Sequence, residues 1–353
     1  MSAKNLSLVR KKLLRWYDNY KRDLPWRRNR DPYAIWLAET MLQQTQVKTV
    51  LPYYEKFLVA FPTVEALARA PLERVLHLWS GLGYYRRAEN LHKAARQLTG
   101  EHGGKIPQSY DQLRALAGIG AYTAGAILSI AFQKPYPAVD GNVRRVLGRL
   151  FSVTAEEELR ALALKLVPKA RPGDFNQALM ELGATVCTAK NQRCTECPVN
   201  FECASRERNC NDAVGTRLRI KFENVIWPLA IVRGSGKILL RRRAAQGLLA
   251  GLWELPGGEL TPRQRISDLL HAHLPGLPVS RAGIKKIGEF RHTITHRRIR
   301  APIYLFECPV SDALRLARHR WRWVDPTRIK DHAVSSMTSK AVKILADHEA
   351  SSL

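Results

Sequence analysis

The apolar residues in the first part of the chain recur at helical spacing. Ile35, Ala38 and Met41 would lie on one face of a helix, and Asp31-Pro32 directly before them is a typical helix start. Comparable segments follow one another to about residue 203. The pattern therefore predicts an all-helical domain over residues 1–205.

The pattern changes after residues 206–224, a polar and charged segment that we interpret as a linker. Gly234-Ser235-Gly236 has the composition of a hairpin turn and lies between two runs typical of strands. Strands mixed with two helices predict a separate α+β domain over residues 225–353. The predicted strands are residues 226–232, 237–241 and 303–308, with a further basic strand over residues 291–300, and the predicted helices are residues 263–273 and 336–348.

A glycine-rich turn, Gly118-Ile119-Gly120, lies between two predicted helices at residues 110–117 and 121–132. Glycines adopt backbone angles that other residues resist, and they leave amides bare at the start of the second helix. That helix end carries partial positive charge and can bind a phosphate. The turn is the pattern of a helix-hairpin-helix, although a plain pair of helices joined by glycines would also fit.

The charge balance indicates the class of partner. Lys and Arg total 57 against 31 Asp and Glu, a formal net charge of +26. Such an excess, without an apolar run long enough to span a membrane, favours a nucleic acid partner. The N-terminus also lacks the apolar core of a signal peptide, so we expect a cytoplasmic protein.

Four of the six cysteines fall within seventeen positions. Without a secretion signal, a disulfide framework is not expected, and four close thiolates suggest a metal site. Both zinc and a [4Fe–4S] cluster are compatible with four thiolate ligands. The candidate ligands are Cys187, Cys194, Cys197 and Cys203.

Two polar motifs join the glycine turn and the cysteines in one resemblance. Glu39 is followed by the pair Gln43-Gln44, and Val139-Asp140-Gly141-Asn142 follows the turn. Together, over roughly residues 8–205, the chain resembles the MutY-type adenine DNA glycosylases of the helix-hairpin-helix (endonuclease III) superfamily. The resemblance implies that Glu39 is the general acid, that Asp140 stabilises a sugar cation and that Asn142 orients Asp140 or water.

The same resemblance implies the DNA contacts and the metal group. Gln44 would lie in the base stack, Tyr84 would wedge beside the lesion, and Gly118 and Gly120 would bind backbone phosphate. The cysteine spacing matches the [4Fe–4S] loop of the family, here residues 187–203. Tyr122 stands where the endonuclease III branch has its Schiff-base lysine, so the resemblance is to the branch that removes a base without cutting the strand.

The C-terminal domain carries Trp253-Glu254-Leu255-Pro256-Gly257-Gly258-Glu259, which resembles the opening of a Nudix fold. The carboxylates that hold magnesium in a working Nudix box are missing, because Gln264 and residues 272–277 occupy their places. The domain is therefore expected to recognise a lesion and not to hydrolyse a nucleotide. The family's 8-oxoguanine loop corresponds to residues 290–296, with Thr295 and His296 as the candidate contacts.

These features predict an adenine DNA glycosylase that acts on adenine opposite 8-oxoguanine or guanine in double-stranded DNA and leaves an abasic site. We expect a monomer in the bacterial cytoplasm, associated with the nucleoid. Two alternatives stay open from sequence. One is an endonuclease III-type lyase, against which Tyr122 and the second domain count. The other is a cluster-containing DNA-binding sensor, against which the pair Glu39 and Asp140 counts.

Overall fold

The computed structural model describes residues 3–206, 221–244, 247–274, 284–308 and 320–351. The chain forms two compact units, Met1–Arg69 with Asn90–Arg217, and Ala70–Glu89 with Leu218–Leu353. Residues 70–89, which the sequence places inside the first domain, thus group with the second unit. Most of the predicted linker, residues 207–220, lies outside the described residues.

The first unit is helical in the part of the chain that the structure describes. The helix-hairpin-helix consists of α7 and α8, which are shorter than predicted. No described helix has the length and apolarity that a membrane span needs. The helices of this unit are α1 (Ala3–Tyr20), α2 (Pro32–Leu42), α3 (Val47–Ala60), α4 (Val64–Arg69), α6 (Arg86–Glu101, from Asn90), α7 (Tyr110–Ala115), α8 (Ala121–Ile130), α9 (Gly141–Phe151), α10 (Glu156–Leu166) and α11 (Pro172–Thr185).

Two aspartates start the helices that matter most for the site. The Asp31 side chain accepts a hydrogen bond from the Tyr33 amide at 3.0 Å, and Pro32 occupies the first helical position of α2. This confirms the predicted start of α2. Asp140 caps α9 in the same way, because its Oδ1 accepts from the Val143 amide at 2.7 Å. A capping aspartate stabilises a helix by about 1 kcal/mol.

The core of the first unit lies mainly between α1, α9, α10 and α11. Their apolar faces meet in one buried cluster, which includes Leu13, Leu147 and Phe175, each fully buried. A smaller cluster joins α2 and α8 through Ile35 and Ala126. These contacts fix α2, α8, α9 and α11 relative to one another, and all four helices contribute side chains to the site.

The second unit is built on a mixed sheet of seven strands within the described residues. The long antiparallel pair β5–β6 forms one part, and β1 and β2 pair in parallel with β6 one after the other along the strand. Strands β4 and β7 both pair with β3. The strands are β1 (Glu223–Ile226), β2 (Leu229–Gly234), β3 (Lys237–Arg242), β4 (Trp253–Glu254), β5 (Lys285–Ile294), β6 (Arg297–Glu307) and β7 (Trp321–Val324).

Helices α5 (Leu72–Leu78), α12 (Ile266–His273) and α13 (Ser336–Ala350) complete the described part of this unit. The predicted hairpin turn is confirmed, with Ser235 and Gly236 both at positive φ (49° and 73°), as a tight two-residue turn requires. The strand predicted over residues 291–300 is wrong. That segment is the end of β5, a turn at Thr295 and His296, and the start of β6.

Gly125 in α8 provides a test of how tightly the first unit is packed. A Cβ at Gly125 would lie 2.0 Å from the Pro137 carbonyl oxygen, so Gly125→Ala should lower the free energy of unfolding by roughly 1–3 kcal/mol. Gly100 is the matched control because a Cβ there meets nothing within 4 Å. Gly100→Ala should be neutral or stabilise by about 1 kcal/mol. Chemical denaturation of both variants measures the difference, and equal effects would contradict the close approach.

Candidate active site and DNA-contact surface

Glu39 is a carboxyl group buried in the first unit. It lies on α2, is 4 % exposed, and its Oε2 accepts a hydrogen bond from the Tyr122 hydroxyl. Burial raises the pKa of Glu39 to about 7; the Tyr122 bond and Arg27 oppose the rise, and Asp140 adds to it. The side chain can therefore carry a proton near neutral pH and release it, as a general acid must.

Tyr122 is brought to Glu39 by the first turn of α8, directly after the glycine turn. Its hydroxyl lies 3.7 Å from the Met180 sulfur of α11. Burial, with Glu39 and Asp140 nearby, holds the pKa of the phenol well above its usual value. Tyr122 thus stays protonated and donates to Glu39.

Asp140 is the second carboxyl group of this region, and it is partly buried. Besides the Val143 amide, Asn142 donates to it through Nδ2, which lies 3.0 Å from Oδ2. Burial raises the pKa of Asp140, while these hydrogen bonds and Arg145 lower it. Glu39 receives one hydrogen bond from a side chain, whereas Asp140 receives several and stands at the positive end of α9. The environment therefore favours ionisation more at Asp140 than at Glu39.

A chain of hydrogen bonds leads from Asp140 to the cysteine segment. Arg145 Nη2 donates to Asn142 Oδ1 at 2.8 Å and to the Gly183 carbonyl at 2.6 Å. Its Nε donates to the Cys187 carbonyl at 2.9 Å. The sequence analysis missed Arg145, although a cation one turn after a capping aspartate at a helix start is a usable signal.

The four predicted thiol ligands lie together. Cys187, Cys194, Cys197 and Cys203 all line one cavity, which Arg149 and Val186 also line. Burial raises the pKa of Cys197 to about 12, and each of the other three thiols adds to the rise. Arg149 Nη1 lies 3.4 Å from the Cys187 sulfur. Four ionised thiolates around one cavity would repel one another, and one arginine cannot balance them. The cavity therefore fits an electropositive group bound by the four sulfurs.

The two glycines of the hairpin have different roles. Gly118 has φ of 76°, and a Cβ there would lie 2.7 Å from the Asn90 Cβ, so both backbone angle and space require glycine. Gly120 has φ of −85°, and a Cβ would be 3.8 Å from its nearest neighbour, Arg114 Nη1. The protein itself does not require glycine at 120. Because Gly120 has no side chain, residue 120 does not cover the N-terminus of α8.

Three predicted DNA contacts share an unusual backbone. Gln44 (φ 56°), Tyr84 (φ 48°) and Thr295 (φ 54°) are all in the left-handed region and all exposed. Left-handed φ is uncommon in residues other than glycine, and for β-branched threonine it is a true outlier. Strain of this kind is retained where the position of a side chain is used. Sequence reasoning selected these residues but gave no sign of their backbone angles.

Thr295 and His296 form the tip of the β5–β6 hairpin. The Thr295 hydroxyl donates to the Ile294 carbonyl at 2.7 Å, and His296 Nε2 lies 3.8 Å from a Glu223 carboxylate oxygen. With its hydrogen engaged, the threonine oxygen presents lone pairs to the outside. The tip is therefore suited to accept a hydrogen bond.

The carboxylate of Glu254 in the Nudix-like opening is paired with arginines. Glu254 is buried and engaged by Arg241 at 2.9 Å and Arg243 at 2.5 Å. His273 Nδ1 lies 2.7 Å from Arg241 Nη1. Of the stretch predicted to replace the metal-binding carboxylates, residues 275–277 lie outside the described residues. In the described part, Glu254 is thus engaged by two arginines.

The raised pKa of Glu39 has a consequence for stability. Its value of about 7 in the folded protein exceeds 4.5, so the folded state binds more protons between these pH values. The stability from protonated Glu39 is complete below pH ~4.5 and is lost as pH rises through ~7. The glutamine in Glu39→Gln does not titrate. As pH rises from 4.5 to 8, the free energy of unfolding of this variant should therefore increase relative to that of wild type by up to roughly 3 kcal/mol.

Glu181 is the matched control, because its carboxylate is also buried but pairs with Arg22 at 2.6 Å and Arg27 at 2.8 Å. These partners lower its pKa, so Glu181 stabilises the fold above pH ~4.5. Glu181→Gln should be less stable than wild type at neutral pH by a few kcal/mol. Denaturation curves from pH 5 to 8 give both differences. The same sign for both variants at pH 8 would contradict the environments described.

Known protein families match both parts of the chain. Residues 37–169 match the HhH-GPD superfamily of base excision DNA repair proteins, and residues 228–343 match the NUDIX domain. The adenine DNA glycosylase of Rattus norvegicus is 37% identical over 98% of this chain and 79% of its own length. The Homo sapiens adenine DNA glycosylase is 36% identical over 96% of this chain and 74% of its own.

Among solved structures, a thermostable thymine-DNA glycosylase aligns with a TM-score of 0.55 at 31% identity, covering 58% of this chain and 97% of its own. The fold of the first unit is thus that of a helix-hairpin-helix glycosylase. Identity above one third with adenine DNA glycosylases extends over nearly the whole chain, through both matched domains. The chain belongs to the adenine DNA glycosylase family of the HhH-GPD superfamily.

Proposed function

We propose that this protein removes adenine from double-stranded DNA where adenine faces 8-oxoguanine or guanine, leaving an abasic site and an uncut strand. The observation that carries the proposal is a buried and a partly buried carboxyl group with unequal environments. Glu39 has its pKa raised to about 7, and Asp140 is held by several donors. A pair in opposite protonation states is what glycosidic bond cleavage requires.

Glu39 supplies the proton. The adenine must first leave the duplex, which costs a few kcal/mol of stacking and pairing. Adenine leaves poorly as an anion, so N7 is protonated as the bond to the sugar weakens. A group with a pKa near 7 is both protonated often enough and acidic enough for this transfer, which contributes ~10²–10⁴-fold. Tyr122 would hold the carboxyl group in position through its hydrogen bond.

Asp140 stabilises the sugar cation that remains. Its hydrogen bonds from Val143 and Asn142 fix the carboxylate at the start of α9, so it need not reorganise when the cation forms. One charge at about 4 Å is worth roughly 4 kcal/mol at moderate dielectric. Attack by water on the cation then gives the abasic site. Asn142, itself held by Arg145, orients Asp140 for this role.

Strand cleavage is not expected, because a lysine amine is needed for a Schiff base and Tyr122 stands in its place. No lysine lies between Lys105 and Lys134. The Tyr122 phenol is also engaged by Glu39 and keeps its proton. This supports the base-removing branch over the endonuclease III-type lyase.

DNA binding would use the net charge of +26 and the open N-terminus of α8 at Gly118 and Gly120. Gln44 would fill the gap left by the flipped adenine, and Tyr84, 48% exposed, would wedge beside the opposite base. The strained, exposed backbone at both residues supports these roles.

Thr295 would distinguish 8-oxoguanine from guanine. 8-Oxoguanine carries a proton on N7, whereas N7 of guanine only accepts. Because the Thr295 hydroxyl donates to the Ile294 carbonyl, its oxygen can accept from N7–H, whereas donating to guanine N7 would require breaking that hydrogen bond. His296 beside it adds a polar group at the same turn. A single such contact gives discrimination of about 1–3 kcal/mol.

A [4Fe–4S] cluster is the group we propose for the cysteine cavity, held by Cys187, Cys194, Cys197 and Cys203. Among the described side chains, no three of His, Cys, Asp and Glu converge as a site for one metal ion. Zinc would draw four sulfurs to 2.3 Å from a single centre, whereas a cluster binds each sulfur through a different iron. The shared cavity and the spacing of the four cysteines, which resembles the family's cluster loop, support the cluster. It would anchor the loop and its cations and take no part in bond cleavage.

One assay tests the function. A duplex with adenine opposite 8-oxoguanine is incubated with the protein, and strand breaks are compared with and without alkali. We expect breaks only after alkali. Breaks without alkali would support the lyase, and no breaks would support the DNA-binding sensor.

Asp140→Asn tests the mechanism without removing the helix cap, since asparagine caps helices as well as aspartate. Single-turnover excision should fall by at least ~10³-fold, the factor that corresponds to roughly 4 kcal/mol. DNA affinity and the thermal midpoint should stay near wild type. Asp140→Ser, which keeps a cap but has no charge, should be equally inactive. Excision within tenfold of wild type in either variant would refute the role of Asp140.

Metal analysis tests the cluster. Anaerobically purified protein should be brown and contain about four iron and four sulfide per chain. Cys197→Ser should lose most of this iron, whereas Cys308→Ser, which changes a cysteine outside the cavity, should keep it. Zinc in place of iron, or equal iron in both variants, would contradict the assignment.

A further inference from the structure

The loop that carries Tyr84, residues 79–85, is in contact with the side chain of an arginine that follows it in sequence. Arg87 Nη2 donates to the Gly83 carbonyl at 3.1 Å, and its guanidinium carbon lies 5.3 Å from the Trp79 ring centroid and 5.5 Å from that of Tyr84. Trp79 Nε1 donates to the same Gly83 carbonyl at 3.1 Å. Gly83 and Tyr84 both have positive φ. A loop with two such residues in succession needs outside support to keep one conformation.

The Val334 carbonyl oxygen supplies such support. Ser80 Oγ donates to it at 2.7 Å and the Tyr85 hydroxyl at 3.3 Å. The Tyr85 oxygen in turn accepts from the Gly81 amide at 3.2 Å. The residues on both sides of the loop thus reach the same acceptor. All of these groups belong to the second unit.

Val334 is itself fixed. It is 2% exposed, forms a bridge with Trp253, and is followed by Ser335, whose hydroxyl accepts from the Thr338 amide to cap α13. A second link runs beside it, because Trp253 Nε1 donates to a Glu73 carboxylate oxygen at 2.8 Å. The anchor is therefore part of the folded sheet and helix of this unit.

The same helix start reaches the hairpin that ends in Thr295. Ser336 Oγ lies 3.2 Å from His292 Nε2 of β5, and Lys340 Nζ donates to the Arg291 carbonyl at 3.4 Å. From His292, Thr293 and Ile294 lead along β5 to the tip at Thr295. Continuous contacts thus join Tyr84 to Thr295 through Val334 and the first turn of α13.

We propose that Ser80 and Tyr85 are positioning residues that fix Tyr84 to the same rigid body as the β5–β6 hairpin, so that wedge and lesion contact act as one element. The inference rests on the proposed function, in which Tyr84 and Thr295 both meet the 8-oxoguanine strand. Because Tyr84 and Thr295 are held in one folded unit, binding of one side chain to the DNA positions the other. The second contact then forms without a separate entropy cost for ordering its side chain. Opposite guanine the Thr295 contact is absent, so holding Tyr84 and the hairpin together should increase the excision rate less.

The test uses full-length Tyr85→Phe and Ser80→Ala in single-turnover excision opposite 8-oxoguanine and opposite guanine. Each variant should lose about threefold to tenfold of the 8-oxoguanine rate, the effect of one hydrogen bond, and less of the guanine rate. The matched control is Tyr33→Phe, which removes another buried tyrosine hydroxyl that donates to a carbonyl, that of Phe61 at 2.9 Å. The control should leave the ratio of the two rates unchanged.

A cycle with Thr295→Val separates positioning from general destabilisation. If wedge and lesion contact act together, Thr295→Val should lower the ratio less in the Tyr85→Phe background than in wild type. In parallel, 2-aminopurine placed beside the 8-oxoguanine should brighten on binding wild type and brighten less with Tyr85→Phe, because the wedge unstacks it less.

Additive effects in the cycle, or a ratio unchanged in both Ser80→Ala and Tyr85→Phe, would overturn the inference. If Tyr85→Phe does not fold, Ser80→Ala, at a partly exposed side chain, carries the test alone, with an unchanged ratio overturning the inference. Failure of wild type to excise adenine would instead refute the proposed function.

Discussion

The removal of three carboxyl groups from solvent, fully or in part, is the constraint on which the rest of the first unit depends. An uncompensated buried carboxylate is expensive, and proteins either pair it, bond it or leave it protonated. All three solutions occur here: Glu181 is paired with two arginines, Asp140 is bonded by α9 and Asn142, and Glu39 has its pKa raised to about 7. The differences among these three acids therefore come from their donors, and of the three only Glu39 has a single side-chain donor with no cation bonded to it.

The first turns of α8 and α9 supply the different hydrogen-bond donors of Glu39 and Asp140. A capping aspartate is an ordinary way to start a helix, and at Asp140 the same hydrogen bonds that begin α9 also favour its ionised form. Tyr122 is delivered to Glu39 because the glycine turn places the first turn of α8 against α2, where Ile35 and Ala126 pack together. The hairpin thus positions at once the helix end that we propose contacts DNA and a partner of the proposed general acid. In an adenine DNA glycosylase this couples backbone binding to the chemistry through one short helix.

Much of this was predictable from sequence, and what was not has a physical reason. Asp31-Pro32 and Gly234-Ser235-Gly236 are local signals, and the structure confirms both. The bond between Tyr122 and Glu39 joins residues 83 positions apart, so it depends on packing that no local pattern contains. Strand β5 was only partly recognised, because its residues alternate charge with weakly apolar positions and its burial is partial throughout. The left-handed backbone of Gln44, Tyr84 and Thr295 contradicts local propensity, as functional positions often do.

The grouping of residues 70–89 with the second unit changes how the two recognition roles can be separated. In sequence, Tyr84 lies in the middle of the glycosylase region, and deleting the C-terminal domain would seem to leave it intact. The structure gives Ser80 and Tyr85 their acceptor on Val334, and Glu73 its partner on Trp253, so such a deletion would also strip the wedge loop of its support. A loss of 8-oxoguanine preference in a truncated protein would then report on wedge and lesion contact together. Thr295→Val removes one hydroxyl at an exposed turn and leaves every contact of the wedge loop in place, so only the point substitution isolates the reading of the opposite base.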